Sequence, residues 1–419
     1  MKKVFALLLG CALLTASCKS PSELEGGRMD ENETVKAEEN SFGEDLEFLR
    51  EHTEVVLLSN GHGSMLAVVP EWQARVMTSS CGGMEGNSFG WINYELIESE
   101  ISSPHINAYG GEDRFWMGPE GGQFSIFFKE GDPFDFEQWQ TPAFIDSEPF
   151  ETTRVSSSDA SFKRDVRVRN YSGAEFDLGI TRHIRLVDVS RAEEILGAEE
   201  LGSLDMVAFE TENRVRNNGD EAWDREEGLL SIWILGMYLP SPKTTIIVPY
   251  NSGADISGPI VNDEYFGKVP PDRLKVGEKA VLFSGDGEYR SKIGLGPERA
   301  RDVLGSWDAV RKVLTLVQFN KPGGIADYVN SMWKMQEEPF SGDVVNCYND
   351  GIPAPGEDPL GPFYELETSS PALDLEQGEE GVHIHRTFHF TGSRGRLDSL
   401  ARKVLGVSLD DAEAAFAIE

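Results

Sequence analysis

Basic residues are scarce in this 419-residue chain: 38 Lys and Arg stand against 72 Asp and Glu, a formal net charge of −34. Such a surface repels a phosphate backbone, and no basic stripe interleaved with aromatics offsets it. This speaks against nucleic acid as a partner. Polyanionic substrates are disfavoured on the same ground, while neutral ligands are compatible. Cysteine is also scarce, with four in all and no C-x-x-C or Cys/His spacing of the zinc kind. No D-x-D-x-D-G-like loop marks a calcium site. Beyond the N-terminus no apolar run is long enough to span a bilayer, and no repeat of fixed period is present. No nucleophile elbow, phosphate loop or dinucleotide fingerprint stands in the setting such motifs need; the glycines near 118–122 precede a strand. Nothing calls for a cofactor.

The N-terminus is a targeting segment. Lys2 and Lys3 precede a short apolar run, Val4 to Leu14, and then the small residues Thr15, Ala16 and Ser17 before Cys18. That order resembles a bacterial lipobox, with Thr15 where leucine is usual. It predicts a signal peptide over 1–17, lipidation at Cys18, and a place in the bacterial cell envelope, periplasmic or at the cell surface. Ordinary signal cleavage is the alternative. Residues 18–46 are polar and acidic and read as a flexible tether. Cys81 and Cys347 then either pair in an oxidising compartment or stay as buried thiols.

From Glu54 onward the texture is that of short strands. Val55–Leu58, Ser64–Val69 and Ala74–Ser79 are separated by Asn60-Gly61 and Pro70-Glu71. Gln123–Phe128, Ser161–Val168, Phe176–Val187, Met206–Asn217, Leu229–Leu239, Thr244–Pro249 and Val313–Phe319 continue the pattern. Ser190–Leu201 reads as a helix capped by Ser190, and 326–336 as a short helix or a loop. Leu397–Leu405 and Leu409–Phe416, the second capped by Ser408, close the chain as helices. Many strands and few helices predict an all-β fold. We expect one large antiparallel β-sandwich over 47–393, with a short helical segment over 394–419.

Two constellations carry candidate chemistry. In Gly361–Phe390 the spacing puts Glu365 and Glu367 on one face of a strand. It puts His383, His385 and His389 on one face of the next, with Phe388 and Phe390 opposite. Carboxylates near imidazoles suit acid–base work; the plain alternative is a solvated strand face. The second constellation is the segment from His105 to Glu120, with Asn107, Tyr109, Arg114 and Trp116. Its rings, carboxylates and guanidinium suit a neutral, hydroxyl-rich ligand; otherwise it is a Gly-rich corner with an ion pair. Asn349 and Asp350 form a turn signal before Gly351. Arg290 and Lys292 read as a strand's polar face rather than a clamp. Histidines two apart on the strand stand close enough for a pair to share a zinc ion, while the first and third are too far apart without a bulge; no metal site is expected.

Several of these segments resemble the galactose mutarotase-like superfamily. The turn Leu375-Glu376-Gln377-Gly378-Glu379 is similar to its Leu-x-Pro-Gly-Glu hairpin, with Gln377 in place of proline. The segments GGEDRFWMGPE, WILGMYLPSPKTTIIVPY, KIGL and GDVVNCYND resemble, in the same order, those of an uncharacterised lipoprotein family within it. The resemblance implies a galactose mutarotase-like supersandwich that holds a neutral carbohydrate on a concave sheet face and meets the membrane only through its lipid anchor. It implies an aldose-1-epimerase-like base at Glu365. The family's mid-chain histidine is missing at Ile234–Met237, so His385, or His383, would serve as the acid. Arg114, Trp116, Glu120, His105, Asn349 and Glu367 would line the site. The alternatives are a sugar-binding or scaffold lipoprotein without turnover, and a lyase or hydrolase needing a second carboxylate from Glu112, Asp113 or Glu120. The two separations to tell apart in the latter case are ~5 Å and ~6.5–9.5 Å.

Overall fold

A computed structural model describes residues 40–416, apart from 254, 255, 257, 325, 326 and 355. The signal peptide, Cys18 and most of the tether lie outside the described residues.

The strands form three antiparallel sheets, as the alternation predicts. The largest has ten strands in the order Leu274–Val276, Ala280–Ser284, Thr244–Pro249, Val303–Asp308, Val313–Phe319, Glu380–Thr391, Asp205–Asn217, Glu175–Leu186, Asp159–Arg169, Glu151–Val155. The second runs Ser291–Leu295, Val345–Asn349, Tyr364–Ser369, Ser231–Tyr238, Arg114–Gly118. The third is the small meander Val56–Ser59, Met65–Val69, Arg75–Ser80.

Period-two alternation decides what each face meets. In Glu380–Thr391, Phe388 and Phe390 turn outward and pack with Leu397, Leu400, Val404 and Leu409 of the C-terminal helices Arg394–Val404 and Leu409–Ala414. The histidines of the same strand turn inward, toward the five-stranded sheet. Between the two sheets lie Val317 and Phe319 from one and Ile293, Cys347 and Leu366 from the other. Apolar packing of this kind contributes ~25 cal/mol per Å² removed from water, and Leu58, Leu66 and Val76 of the small meander join the same core as Ile234 and Phe209 of the larger sheets. Gly236 is required where the Arg114 strand passes: a Cβ there would sit 2.4 Å from the Glu112 carbonyl oxygen.

Several local expectations are corrected. Residues 41–46, assigned to the tether, begin a helix, Phe42–His52, started by a Ser41/Glu44 capping box. Its Phe42, Leu46 and Leu49 cover Ala67, Val69 and Met77 of the meander. The helix expected from Ser190 spans Val189–Leu196, and its cap is Asp188, which accepts from the Arg191 N–H at 2.8 Å. Ser408 does cap the last helix. Gln123–Phe128 is not a strand: Ile126, Phe127 and Phe128 are consecutive apolar residues without alternation, and the Ile126 N–H bonds the Pro119 carbonyl at 3.2 Å instead of a neighbouring strand. Described residues within 326–336 contain no helix. The segment from His105 to Glu120, read without a strand, contributes the edge strand Arg114–Gly118. Cys81 and Cys347 are free thiols. No helix among the described residues is long and apolar enough to cross a membrane.

Candidate functional site

The five-stranded sheet has one face against the core and one turned away from it. Residues paired across strands share a face, so the register assigns the outer one. One row is Lys292, Tyr348, Glu365 and Met237. The next is Asn346, Glu367, Leu235 and Arg114. The third is Ser369, Trp233 and Trp116. Glu365, Glu367, Arg114 and Trp116, singled out from sequence, therefore meet on one surface although they come from two distant segments.

The charges on this surface pair off. Arg114 Nη2 donates to Glu365 Oε1, and the guanidinium lies 5.1 Å from the centre of the Trp116 ring. Lys292 Nζ and Trp233 Nε1 both donate to Glu367 Oε2, each at 3.0 Å. The ammonium also stands 4.8 Å from the Trp233 ring centre, a cation–π arrangement. Burial pushes Glu365 up to about 7, with Arg114 opposing and the negative charge of Glu367 adding to the rise. Burial works against the Lys292 ammonium, yet Glu367, Glu120 and Glu365 together carry its pKa above the ordinary value. Glu367 Oε1 and Trp116 Nε1 are buried without a partner.

Over part of this face opens a cavity of about 580 Å³, walled by Trp139, Trp233 and Trp333 with Glu120, Lys292 and Tyr348; Arg114, Trp116, Glu365 and Glu367 are not among the residues that line it. Trp139 and Trp333 stack at 5.7 Å and 25°. Glu120 is held by its backbone: its N–H donates to Ser331 Oγ at 3.1 Å, and its carbonyl accepts from Ser125 Oγ. Burial pushes its carboxyl up to about 7, with Lys292 and the indoles of Trp333 and Trp139 opposing. Asp350, also on the wall, is raised to about 6 by burial; it accepts from the Tyr348 hydroxyl at 2.8 Å and the Gly361 N–H at 2.9 Å. One wall atom, Ser231 Oγ, is buried and unpartnered. Such atoms are costly to leave without a hydrogen bond.

The other expected residues fall elsewhere. His383 and His385 are buried between the sheets, where their Nε2 and Nδ1 lie 2.8 and 2.9 Å from Thr368 Oγ1. Thr368 is one residue from Glu367 and points to the opposite face. Burial lowers both imidazoles to about 3, so they are neutral near pH 7 and face no cavity. The expected histidine acid is corrected on that ground. Asn349 is buried and holds a turn, accepting from the Gly287 N–H at 2.8 Å and donating to Asp286 Oδ1 at 3.1 Å. His105 backs the cavity instead of lining it, with Nδ1 2.7 Å from the Trp139 carbonyl oxygen and its ring against Phe136. Of the three second-carboxylate candidates, Glu120 lines the cavity. Asp113 is sealed against Arg182 and Thr211, and Glu112 against Ser79 and His389. Sequence reasoning missed Lys292 as a cation of this face, and it missed the three tryptophans.

The model of a family of unknown function, DUF6786, matches residues 40–416. No curated protein matches the chain in sequence. Among solved structures, a protein of Synechocystis sp. PCC 6803 is 12% identical with a TM-score of 0.47, over 81% of this chain and 96% of that one. A putative aldose 1-epimerase of Escherichia coli K12 is 10% identical with a TM-score of 0.47, over 80% of this chain and 98% of that one. A galactose mutarotase-like protein of Lactobacillus casei is 9% identical with a TM-score of 0.45, over 80% of this chain and all (100%) of that one.

Proposed function

We propose that this chain, which belongs to the DUF6786 family, binds a neutral carbohydrate in the cavity over its five-stranded sheet. The observation that carries this reading is the wall of Trp139, Trp233 and Trp333 around one carboxyl, Glu120, held near pKa 7. Indole faces pack against the C–H faces of a sugar ring. A carboxyl that is half protonated at neutrality can both donate to and accept from hydroxyls. Ser231 Oγ offers a hydrogen bond that nothing among the described residues fills. The cations Arg114 and Lys292 are already neutralised by Glu365 and Glu367, so an anionic ligand finds no open charge there. Calorimetry with a panel of neutral hexoses, pentoses and disaccharides tests the reading. Binding that Trp333→Ala weakens at least tenfold supports it; no heat with any sugar of the panel overturns it.

Aldose-1-epimerase-like turnover is the second reading, favoured by two carboxyls, Glu120 and Glu365, that both sit near pKa 7. Glu365 would take the proton of the anomeric hydroxyl while Glu120, in the histidine's place, protonates the ring oxygen. The bond from C1 to the ring oxygen breaks, a free aldehyde forms, and closure on the other face returns both protons. NMR exchange between anomers measures this. Exchange no faster than in buffer leaves binding without turnover; acceleration unchanged in both Glu120→Gln and Glu365→Gln would mean that these carboxyls do not carry the reaction. Lipid anchoring in the cell envelope belongs to the proposal through residues 1–18 alone. Its test is Cys18→Ser, which should release the chain from the membrane fraction.

A further inference from the structure

Of the twelve large apolar side chains that stand exposed among the described residues, three line the cavity and two more adjoin its wall residues in sequence. Phe136 is 57% exposed, Phe266 46% and Leu360 45%, and all three line the cavity itself. Met335, 64% exposed, follows the wall residue Lys334, and Ile352, 62% exposed, lies between the wall residues Gly351 and Pro353. Single exposed apolar residues need no explanation, but a contiguous group beside a cleft marks a surface that something covers. Exposed apolar side chains thus line the cavity and adjoin its wall along the chain, so a ligand longer than one ring would find apolar surface beside it.

The chemistry of the rim selects among occupants. It interleaves rings with charge: Arg290 lies 4.1 Å from the centre of the Phe266 ring, and Glu357 and Asp358 share the same wall. An anionic bilayer is repelled by those carboxylates and by the net charge of −34. A second copy of the same acidic surface is repelled likewise. A neutral chain that alternates flat apolar faces with hydroxyls suits both the rings and the charges between them. The cavity, at about 580 Å³, lies within the roughly 300–1,000 Å³ usual for drug-sized ligands and exceeds one hexose ring.

We propose that the ligand is an oligosaccharide or the end of a longer neutral glycan, with one unit in the tryptophan-walled cavity and further units across Phe136, Phe266 and Leu360. The proposal rests on the carbohydrate reading of the cavity. The experiment measures the affinity of the full chain for neutral gluco-, galacto- and xylo-oligosaccharides of one to six units, with wild type and a Phe266→Ser/Leu360→Ser double variant. Both residues are exposed, and circular dichroism checks that the variant folds. In the responsive series the hexamer binds at least tenfold tighter than the monomer. The double variant weakens the hexamer and brings that ratio to within twofold. Equal affinity for monomer and hexamer overturns the rim proposal and leaves the cavity reading standing. Binding of no sugar at any length overturns both. Sedimentation with phosphatidylglycerol vesicles, or a concentration-dependent dimer, that the double variant abolishes assigns the rim to a bilayer or a second copy and likewise overturns the proposal.

Discussion

Lys292 and Glu367 stand on strands that are not neighbours, with the Val345–Asn349 strand between them, yet the ammonium donates to Glu367 Oε2 at 3.0 Å. Lys292 lines the cavity, and the pair is buried, Glu367 wholly and Lys292 nearly so. Removing one partner leaves the other uncompensated, so Lys292→Met should cost about 3–5 kcal/mol of stability. The double variant Lys292→Met/Glu367→Gln should recover most of that loss. Urea denaturation of the three variants completes the cycle; additive losses would mean that the two groups do not act as a pair.

Glu120 gives the protein a pH signature. Its carboxyl titrates near 7 in the fold and at 4.5 when unfolded. Between those values the folded chain keeps a proton that the unfolded chain has lost. The stabilisation is therefore complete below about pH 4.5 and disappears as pH rises through 7, by at most about 3 kcal/mol. Glu120→Gln should match wild type near pH 5 and be the more stable protein near pH 8. Denaturation at both pH values checks this; a gap that does not change with pH would contradict the burial of the charge.

The alternation of His383, His385 and His389 against Phe388 and Phe390 was legible because a strand with two buried faces still separates polar from apolar side chains. Which polar face lies toward the cavity was not legible. The histidines turn to the core, and the face opposite Thr368 is the one the cavity opens over. Arg114–Gly118 was hidden as a strand by the glycines on both sides of it. The Phe42–His52 helix was hidden by acidic composition, although Ser41 and Glu44 carry its start signal in plain sequence. Trp139, Trp233 and Trp333 have no local pattern that joins them. They meet only because a loop, a strand and a second loop converge, which spacing along the chain does not encode.

The imidazoles of His383 and His385 share the Thr368 hydroxyl and titrate near 3. Both pKa values lie below the unfolded value of 6.5. The neutral rings therefore support the fold fully above pH 6.5, and that support is lost as pH falls toward 3. Nitrogen NMR of the side chains should show both rings neutral at pH 5. Thr368→Val should remove two buried hydrogen bonds at about 1–3 kcal/mol each, while sugar binding in the cavity stays within twofold of wild type. A ring that gains its proton near pH 6.5 would place that histidine in water and reopen its role as the acid.

Arg114 separates reach from charge. Its guanidinium pairs with Glu365 and lies over the Trp116 ring at the same time, a planar double contact that an ammonium cannot copy. Arg114 is also what holds the Glu365 carboxyl down against burial. Arg114→Met should therefore raise the Glu365 pKa above 7 and destabilise the fold by about 3–5 kcal/mol. Arg114→Lys should restore part of the charge term but not the stacking, and fall between the two. If turnover depends on Glu365 as a base, the alkaline shift moves the rising limb of the rate–pH profile upward in Arg114→Met. A profile that stays in place while Glu365→Gln abolishes exchange would mean that Arg114 does not set the charge of Glu365.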